Sequence, residues 1–113
     1  MKRILFFSVP LLVALNLFSK EVYIEPGPNA QERLQEALIL IEEGDTLIIK
    51  SGYYKFEDGL SLDVDNVTVK GEGIDSTILD FKNQQSGAQG LLVTSDKVTL
   101  SDFSILDLSL IHI

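Results

Sequence analysis

The 113-residue sequence predicts an all-β solenoid with three faces per coil and an α-helix that caps its N-terminal end. Short apolar runs bounded by Gly, Asp and Asn recur in a constant order after Gly44. The segments that begin at Gly59 and Gly90 match at several positions, and one amphipathic segment precedes the first run. Repeats of a few tens of residues with one set of strands per period are typical of solenoids.

Residues 1–19 have the layout of a secretory signal peptide. Lys2 and Arg3 form a positive start, and the following run to Phe18 is almost entirely apolar. The run is too short to cross a bilayer core, which needs about 20 apolar residues. We expect cleavage after Ser19 and a periplasmic or extracellular protein with no stable membrane span after cleavage. Retention of the segment as an uncleaved anchor is the alternative.

Residues 20–44 are predicted to form a strand and the capping helix. The strand is Val22-Tyr23-Ile24, and the helix is predicted over 29–43 with Asn29 as N-cap and Gly44 as the C′ residue. One helical stripe collects the apolar side chains Ala30, Leu34, Ala37, Leu38 and Ile41. An end coil leaves strand edges and an apolar interior uncovered, and this helix is predicted to cover them.

Residues 45–107 are predicted to form the first coils, with three kinds of strand per coil. The first kind is 47–49, 67–69 and 98–100, the second is 54–56, 78–80 and 105–107, and the third is 59–62 and 90–93. The connectors vary in length while the strand order stays constant, so insertions such as 82–89 are predicted at corners. Equivalent strands of successive coils are expected to pair in parallel about 4.8 Å apart.

Side chains along these strands should alternate between the interior and the outside. We expect columns of inward-facing residues, Val67 with Leu47 and Val98, and Val69 with Ile49 and Leu100. The intervening Thr68 and Thr99 should stack on the outer surface.

The last six residues, 108–113, are interpreted as a sequencing-adapter artefact. The codons CTG TCT CTT ATA CAC ATC specify this peptide and are the mosaic end of a transposase-based adapter. The natural sequence is therefore expected to depart from this one after Asp107, which makes the chain a fragment truncated at its C-terminus. His112 is accordingly not used as a base or metal ligand. A genuine apolar terminal strand is the alternative.

Composition excludes several classes of function. Nine Lys and Arg stand against 17 Asp and Glu, for a net charge of −8, which argues against a nucleic-acid partner. Removing residues 1–19 would take away Lys2 and Arg3 and no acid, leaving −10. The absence of cysteine excludes disulfides, thiolate metal sites and thiol nucleophiles. No cofactor is expected.

Three segments carry a resemblance to a known family: IEPGPNAQERLQEALILIEEGDTLIIKSGYY, LSLDVDNVTVKGEGIDSTILDF and GAQGLLVTSDKVTLSDFSILD. Together they span residues 24–107 and resemble the start of bacterial parallel β-helix repeat-containing proteins, which belong to the wider pectate-lyase-like superfamily. The resemblance implies a right-handed, three-faced parallel β-helix that is secreted or periplasmic and longer than this chain.

Acidic residues are the main candidates for chemistry. Asp45, Asp65 and Asp96 each precede a run of the first kind and could form a ladder for Ca²⁺. Their position just before strands favours turn residues that bind backbone N–H groups. Asp63 with Asp65, and Asp80 with Asp107, could act as paired carboxylates. Solvated outer faces are favoured for both pairs, so we assign no metal ligand and no catalytic residue.

Five aromatic residues are predicted to pack in the core rather than to form a sugar-binding platform. They are Tyr53, Tyr54, Phe56, Phe81 and Phe103. Tyr53 is the one that is expected to be exposed.

Two functions follow as hypotheses. The first is a non-catalytic structural or surface-binding solenoid whose partner is a polysaccharide or another envelope component. The alternative is the N-terminal part of a carbohydrate-active β-helix enzyme, a polysaccharide lyase, epimerase or hydrolase. It rests on fold-level resemblance alone and requires clustered carboxylates with Lys, Arg, His or Tyr on one outer face of later coils.

Overall fold

The computed structural model describes residues 19–82 and 86–106, with the backbone alone for residues 86–89. Within this part of the chain, most regular structure is strand and there is a single helix, as an all-β fold requires. The elements in chain order are β1 (Glu21–Ile24), α1 (Ala30–Leu40), β2 (Thr46–Ile49), β3 (Gly52–Lys55), β4 (Asp58–Leu62), β5 (Thr68–Lys70), β6 (Thr77–Asp80), β7 (Ser86–Val93), β8 (Thr99–Ser101) and β9 (Ser104–Leu106).

The strands form three sheets in which every pairing is parallel. Sheet 1 has the order β1-β2-β5-β8, sheet 2 has the order β3-β6-β9, and sheet 3 consists of β4 and β7. The three predicted kinds of run therefore fall on three different sheets. The predicted strand at Val22-Tyr23-Ile24 is confirmed as β1, which forms the edge of sheet 1.

Residue pairing agrees with the predicted repeat at two interfaces. In sheet 3, Leu60 pairs with Leu91 and Leu62 pairs with Val93, as the match between the Gly59 and Gly90 segments predicts. In sheet 1, Thr68 of β5 pairs with Thr99 of β8. The aligned strands thus bring like residues together.

The predicted register between β2 and β5 is wrong by two residues. Leu47 pairs with Val69 rather than with Val67. Asp45 occupies the place opposite Val67, where its carbonyl accepts the Thr68 N–H at 3.2 Å. Because the shift is an even number of residues, side chains keep their faces. Leu47, Val67 and Val69 are all buried as predicted.

Sheet 2 is offset by one residue from the alignment of the predicted runs. Tyr54 pairs with Leu79, and Leu79 pairs with Ile105. Ile78 and Leu79 are both apolar, so the sequence alone does not show which of them faces inward. The structure places Leu79 in the core, where it is 1% exposed.

The helix is shorter than predicted. Asn29 occupies the N-cap position, but its backbone is left-handed (φ 61°) and its side chain makes no capping hydrogen bond. The helix ends at Leu40, and Ile41 is already extended. The Asp45 carboxylate accepts the Glu42 N–H at 3.1 Å and so holds the chain in the exit turn. The predicted end near Glu43, with Gly44 as the C′ residue, is therefore wrong.

The core lies between the three sheets and the apolar face of α1. Leu34 and Leu38 of the helix are 1% and 2% exposed and belong to the same buried cluster as the inward residues of the strands. Three aromatic rings stack inside it, with Phe56 centred 6.3 Å from Tyr54 and 4.8 Å from Phe81. The predicted apolar stripe of the helix is thus confirmed as the face that packs on the strands.

Several predictions concern residues outside the described part of the chain. They are the first 18 residues of the predicted signal peptide 1–19, the Asp107 carboxylate and the terminal segment 108–113 with His112. Among residues 19–82 and 86–106, no helix has the length and apolar character needed to span a membrane.

Candidate functional site

An open groove of about 560 Å³ separates the start of α1 from β3. Gln31 of the helix forms one wall, and Tyr53 and Lys55 of β3 form the other, with Asp80 of β6 at its base. The parallel pairing of β3 with β6 places Lys55 directly opposite Asp80. Grooves of this size bind small molecules or single units of a polymer.

Asp80 is buried in this groove rather than solvated. It is 3% exposed, whereas the ring of Tyr53 above it is 50% exposed. The Tyr53 hydroxyl donates a hydrogen bond to Asp80 Oδ2, and the Lys82 N–H donates one to Oδ1 at 2.8 Å. The prediction of a solvated outer face for Asp80 is therefore wrong, because strand pairing brings the tyrosine of the previous strand over the carboxylate.

The hydrogen bonds fix the protonation of both groups. Burial by itself raises the pKa of Asp80, but the hydrogen bonds from Tyr53 and the Lys82 N–H, with the positive charges of Lys82 and Lys55, hold that pKa below its ordinary value. The bond to Asp80 raises the pKa of Tyr53. Near neutral pH the pair is thus a carboxylate and a phenol. A carboxyl that acts as general acid needs the opposite shift, so this direction argues against Asp80 as a general acid.

A second surface feature is the outer face of sheet 1. Thr46, Thr68 and Thr99 lie directly opposite one another on β2, β5 and β8. They alternate with inward residues, and Thr99 is exposed while the other two are half-buried. The predicted outward stacking of Thr68 and Thr99 is confirmed, and the ladder is longer by Thr46.

The three predicted ladder aspartates do not occupy equivalent places. Asp65 and Asp96 meet at one corner, where Asp65 Oδ1 accepts the Asp96 N–H at 2.8 Å. Asp45 is displaced from that corner by the register of β2 and is 2% exposed, whereas the other two are exposed. Its carboxylate accepts the Lys20 N–H at 2.9 Å and the Lys20 ammonium at 2.7 Å. Asp45 and Asp65 both bind backbone N–H groups, as predicted for turn residues.

The Asp45–Lys20 contact shifts both pKa values. Burial raises the pKa of Asp45, but the hydrogen bonds from Lys20 and from the Glu42 N–H outweigh it and bring the pKa below its usual value. The hydrogen bond to Asp45 raises the pKa of Lys20. The contact ties the start of β1 to the corner before β2.

The predicted carboxylate pair Asp63–Asp65 lies on the surface. Asp63 and Asp65 are exposed, and Asp63 Oδ1 accepts the Thr94 hydroxyl at 2.8 Å. Within the described ranges, no three His, Asp or Glu residues converge as a metal site would require. The aromatic prediction is confirmed, since Tyr54, Phe56 and Phe81 are buried and Tyr53 is half exposed.

Two features of this region were not found from the sequence. The Tyr53–Asp80 contact depends on how β3 pairs with β6. That pairing is offset by one residue from the predicted alignment. The sequence analysis made no prediction for Gln31 and Gln35, although their spacing of one turn places them on one line along the helix. That spacing was the available signal.

Function is inferred from this geometry, because comparison with known proteins gave no match. No protein-family model matches the chain, and searches of curated proteins and of solved structures found no match either.

Proposed function

We propose that the chain is the N-terminal part of a right-handed, three-faced parallel β-helix of the bacterial β-helix repeat type. Its function would be structural or surface-binding, with a polysaccharide or another envelope component as partner. The order in which the chain visits the sheets supports this fold, because sheets 1, 2 and 3 are entered in the same sequence in successive turns. A crystal structure with left-handed winding would contradict the proposal.

The observation that carries the binding function is the stacking of like side chains on an outer face. Thr46, Thr68 and Thr99 repeat with the strand spacing of about 4.8 Å. A polymer with regularly spaced hydroxyl groups can meet such a row with repeated hydrogen bonds. The buried carboxylates of Asp45 and Asp80 are less suited to bind a partner, because they already accept hydrogen bonds from N–H groups of the chain.

Secretion with removal of residues 1–19 is part of the proposal. Lys20 belongs to the folded body, since its carbonyl accepts the Thr46 N–H at 3.0 Å and its own N–H binds Asp45. A cut after Ser19 would turn that N–H into an ammonium beside an ionised carboxylate, which favours the contact. N-terminal sequencing of the exported protein tests the cut, and an uncut anchor would contradict it.

The binding proposal is tested by sedimentation of the chain with insoluble polysaccharides and cell-wall material. We expect the wild type and a T68S/T99S variant, which keeps both hydroxyls, to sediment with the same polymer. A T68E/T99E variant should remain in the supernatant. Equal sedimentation of all three proteins, or sedimentation of none, would refute binding through this face.

The groove is where the enzyme alternative can be tested in this chain. Tyr53, Lys55 and Asp80 line it together, whereas the alternative requires clustered carboxylates on an outer face of later coils. Incubation of the chain with a glycan panel separates the two functions. Turnover that is lost in Asp80→Asn would favour the enzyme, whereas binding without turnover favours the surface-binding solenoid.

A further inference from the structure

Tyr53 presents an aromatic ring to the groove between α1 and β3. The ring is 50% exposed, and its hydroxyl donates a hydrogen bond to Asp80 Oδ2. Asp80 is 3% exposed, and its other carboxylate oxygen accepts the Lys82 N–H at 2.8 Å. Because the acceptor is buried and is itself held by the backbone, the bond fixes the position of the ring. Little conformational freedom is then lost when a ligand packs on it.

Tyr23 is an equally exposed tyrosine that lacks these features. It is 53% exposed, and its hydroxyl donates to Glu21 Oε1 at 2.6 Å. Glu21 is itself exposed, so water competes for that bond. The Lys50 ammonium lies 5.6 Å from the centre of the Tyr23 ring, on the outer face of sheet 1. Exposure therefore does not distinguish the two rings, whereas the buried acceptor and the groove do.

The helical wall of the groove is fixed as well. Gln31 Oε1 accepts the Glu57 N–H at 2.8 Å, and Gln31 Nε2 donates to the Asp58 carbonyl at 3.0 Å. These bonds tie the first turn of α1 to the segment that follows β3, and the neighbouring Ala30 is buried in the core. The groove of about 560 Å³ is therefore formed before a ligand enters it, as is usual for sites that bind small ligands.

The lining of the groove favours an uncharged ligand with one apolar face. The carboxylates of Asp80, Glu32 and Glu57 line it, and Lys55 is the one basic residue among the described lining residues. Three carboxylates against one ammonium repel an acidic ligand. Glu32, Glu57 and Lys55 are exposed and offer acceptors and donors to hydroxyl groups. A ring with C–H groups on its face and hydroxyls at its edge matches an aromatic ring surrounded by such polar groups.

We propose that the groove binds one neutral pyranose unit stacked on Tyr53, with the hydroxyls at the edge of the sugar facing Lys55, Glu32 and Glu57. The proposal rests on the polysaccharide partner proposed above and adds a second contact, apart from the threonine row of sheet 1. The sugars that fit best are β-linked glucose and xylose, because their equatorial substituents leave C–H groups on both faces of the ring. The excess of carboxylates selects them over uronic acids.

The test titrates the chain with cellotetraose, xylotetraose and tetragalacturonate and locates binding from backbone amide shifts in NMR spectra. We expect a neutral tetrasaccharide to shift the amides of Tyr53, Lys55 and Glu57, and tetragalacturonate to bind at least about tenfold more weakly. Absence of shifts at these three amides with both neutral probes would overturn the site. Equal or tighter binding of tetragalacturonate would overturn the assignment to a neutral sugar.

Tyr53→Ala and Tyr23→Ala are the matched variants, because each removes a half-exposed tyrosine. Tyr53→Ala should weaken binding of the neutral tetrasaccharide about tenfold, the effect of one aromatic contact. Tyr53→Phe keeps the ring but releases it from Asp80, and should weaken binding about threefold. Tyr23→Ala should bind as the wild type does. Wild-type affinity in Tyr53→Ala, or an equal loss in both alanine variants, would refute stacking on Tyr53. The amide shifts of the wild type decide the location even where Tyr53→Ala does not fold.

T68E/T99E separates this site from the threonine row. The variant should keep wild-type affinity for the neutral tetrasaccharide while it fails to sediment with the polymer, since a single sugar contact lacks the avidity of a repeated row. Sedimentation of the wild type without amide shifts in the groove would remove this site and leave the threonine row. Amide shifts in the groove without sedimentation of the wild type would remove the threonine row and leave this site.

Discussion

Replacement of Asp45 by alanine is expected to lower the free energy of unfolding by about 3 kcal/mol. The side chain is 2% exposed and accepts the backbone N–H groups of Lys20 at 2.9 Å and of Glu42 at 3.1 Å. Hydrogen bonds to a charged acceptor contribute about 1.5–3 kcal/mol each, and alanine leaves both N–H groups without it. The ammonium of Lys20 contributes little to the estimate, because its side chain is half exposed and water replaces the lost contact.

The loss should depend on pH. The pKa of Asp45 is lower in the folded protein than its ordinary value of 3.8. Its stabilising contribution is therefore present above pH 3.8 and disappears as the pH falls through the folded-state pKa. Urea unfolding followed by circular dichroism should give the full difference between wild type and Asp45→Ala at pH 7. The difference should shrink as the pH is lowered below 3.8.

Asp65→Ala is the matched control for this experiment. Asp65 is exposed and accepts the N–H of Asp96 at 2.8 Å, so its replacement should cost less than about 1 kcal/mol. An Asp45→Ala protein within about 0.5 kcal/mol of the wild type at pH 7 would refute the reasoning. A loss that does not decrease as the pH falls below 3.8 would refute the role of the charge.

Four further changes test other parts of the structure. Tyr53→Phe removes the hydrogen bond to Asp80, so the pKa of Asp80 should rise, and an unchanged carboxyl titration by NMR would contradict the contact. Phe56→Ala opens the ring stack and should cost about 3–5 kcal/mol in urea unfolding; a cost below 1 kcal/mol would argue against the core. Lys97 has a φ of 59°, so Lys97→Gly should add about 0.5–1 kcal/mol, and a lower Tm would show that the strain is absent. Burial raises the pKa of Tyr54 from 10 to about 12. Stability should therefore fall as the pH rises from 10 to 12, and Tyr54→Phe should remove that part of the loss.

The sequence predicted which segments form strands better than it predicted their alignment. The apolar runs and their constant order placed all three sheets correctly, because burial of alternating residues is a local pattern. Register depends on contacts between distant segments. Asp45 is bound to Lys20 and Glu42, and β2 pairs with β5 two residues away from the predicted register; no local pattern contains that information.

The candidate site was predicted less well than the fold for the same reason. Tyr53 was expected to be exposed, and it is, but Asp80 was expected to be solvated and is buried under that tyrosine. An aspartate at a strand end normally faces water. Only the pairing of β3 with β6 supplies the hydroxyl and the N–H that make its burial tolerable.

Burial along the inward columns shows how each strand depends on its neighbours. Val69 and Leu79 lie between paired strands on both sides and are 2% and 1% exposed. Leu100 and Ile105 continue the same columns on β8 and β9, yet they are 44% and 41% exposed. The difference arises from the neighbour and not from the residue, since all four are aliphatic. A side chain in such a column is stabilised only when a further layer covers it.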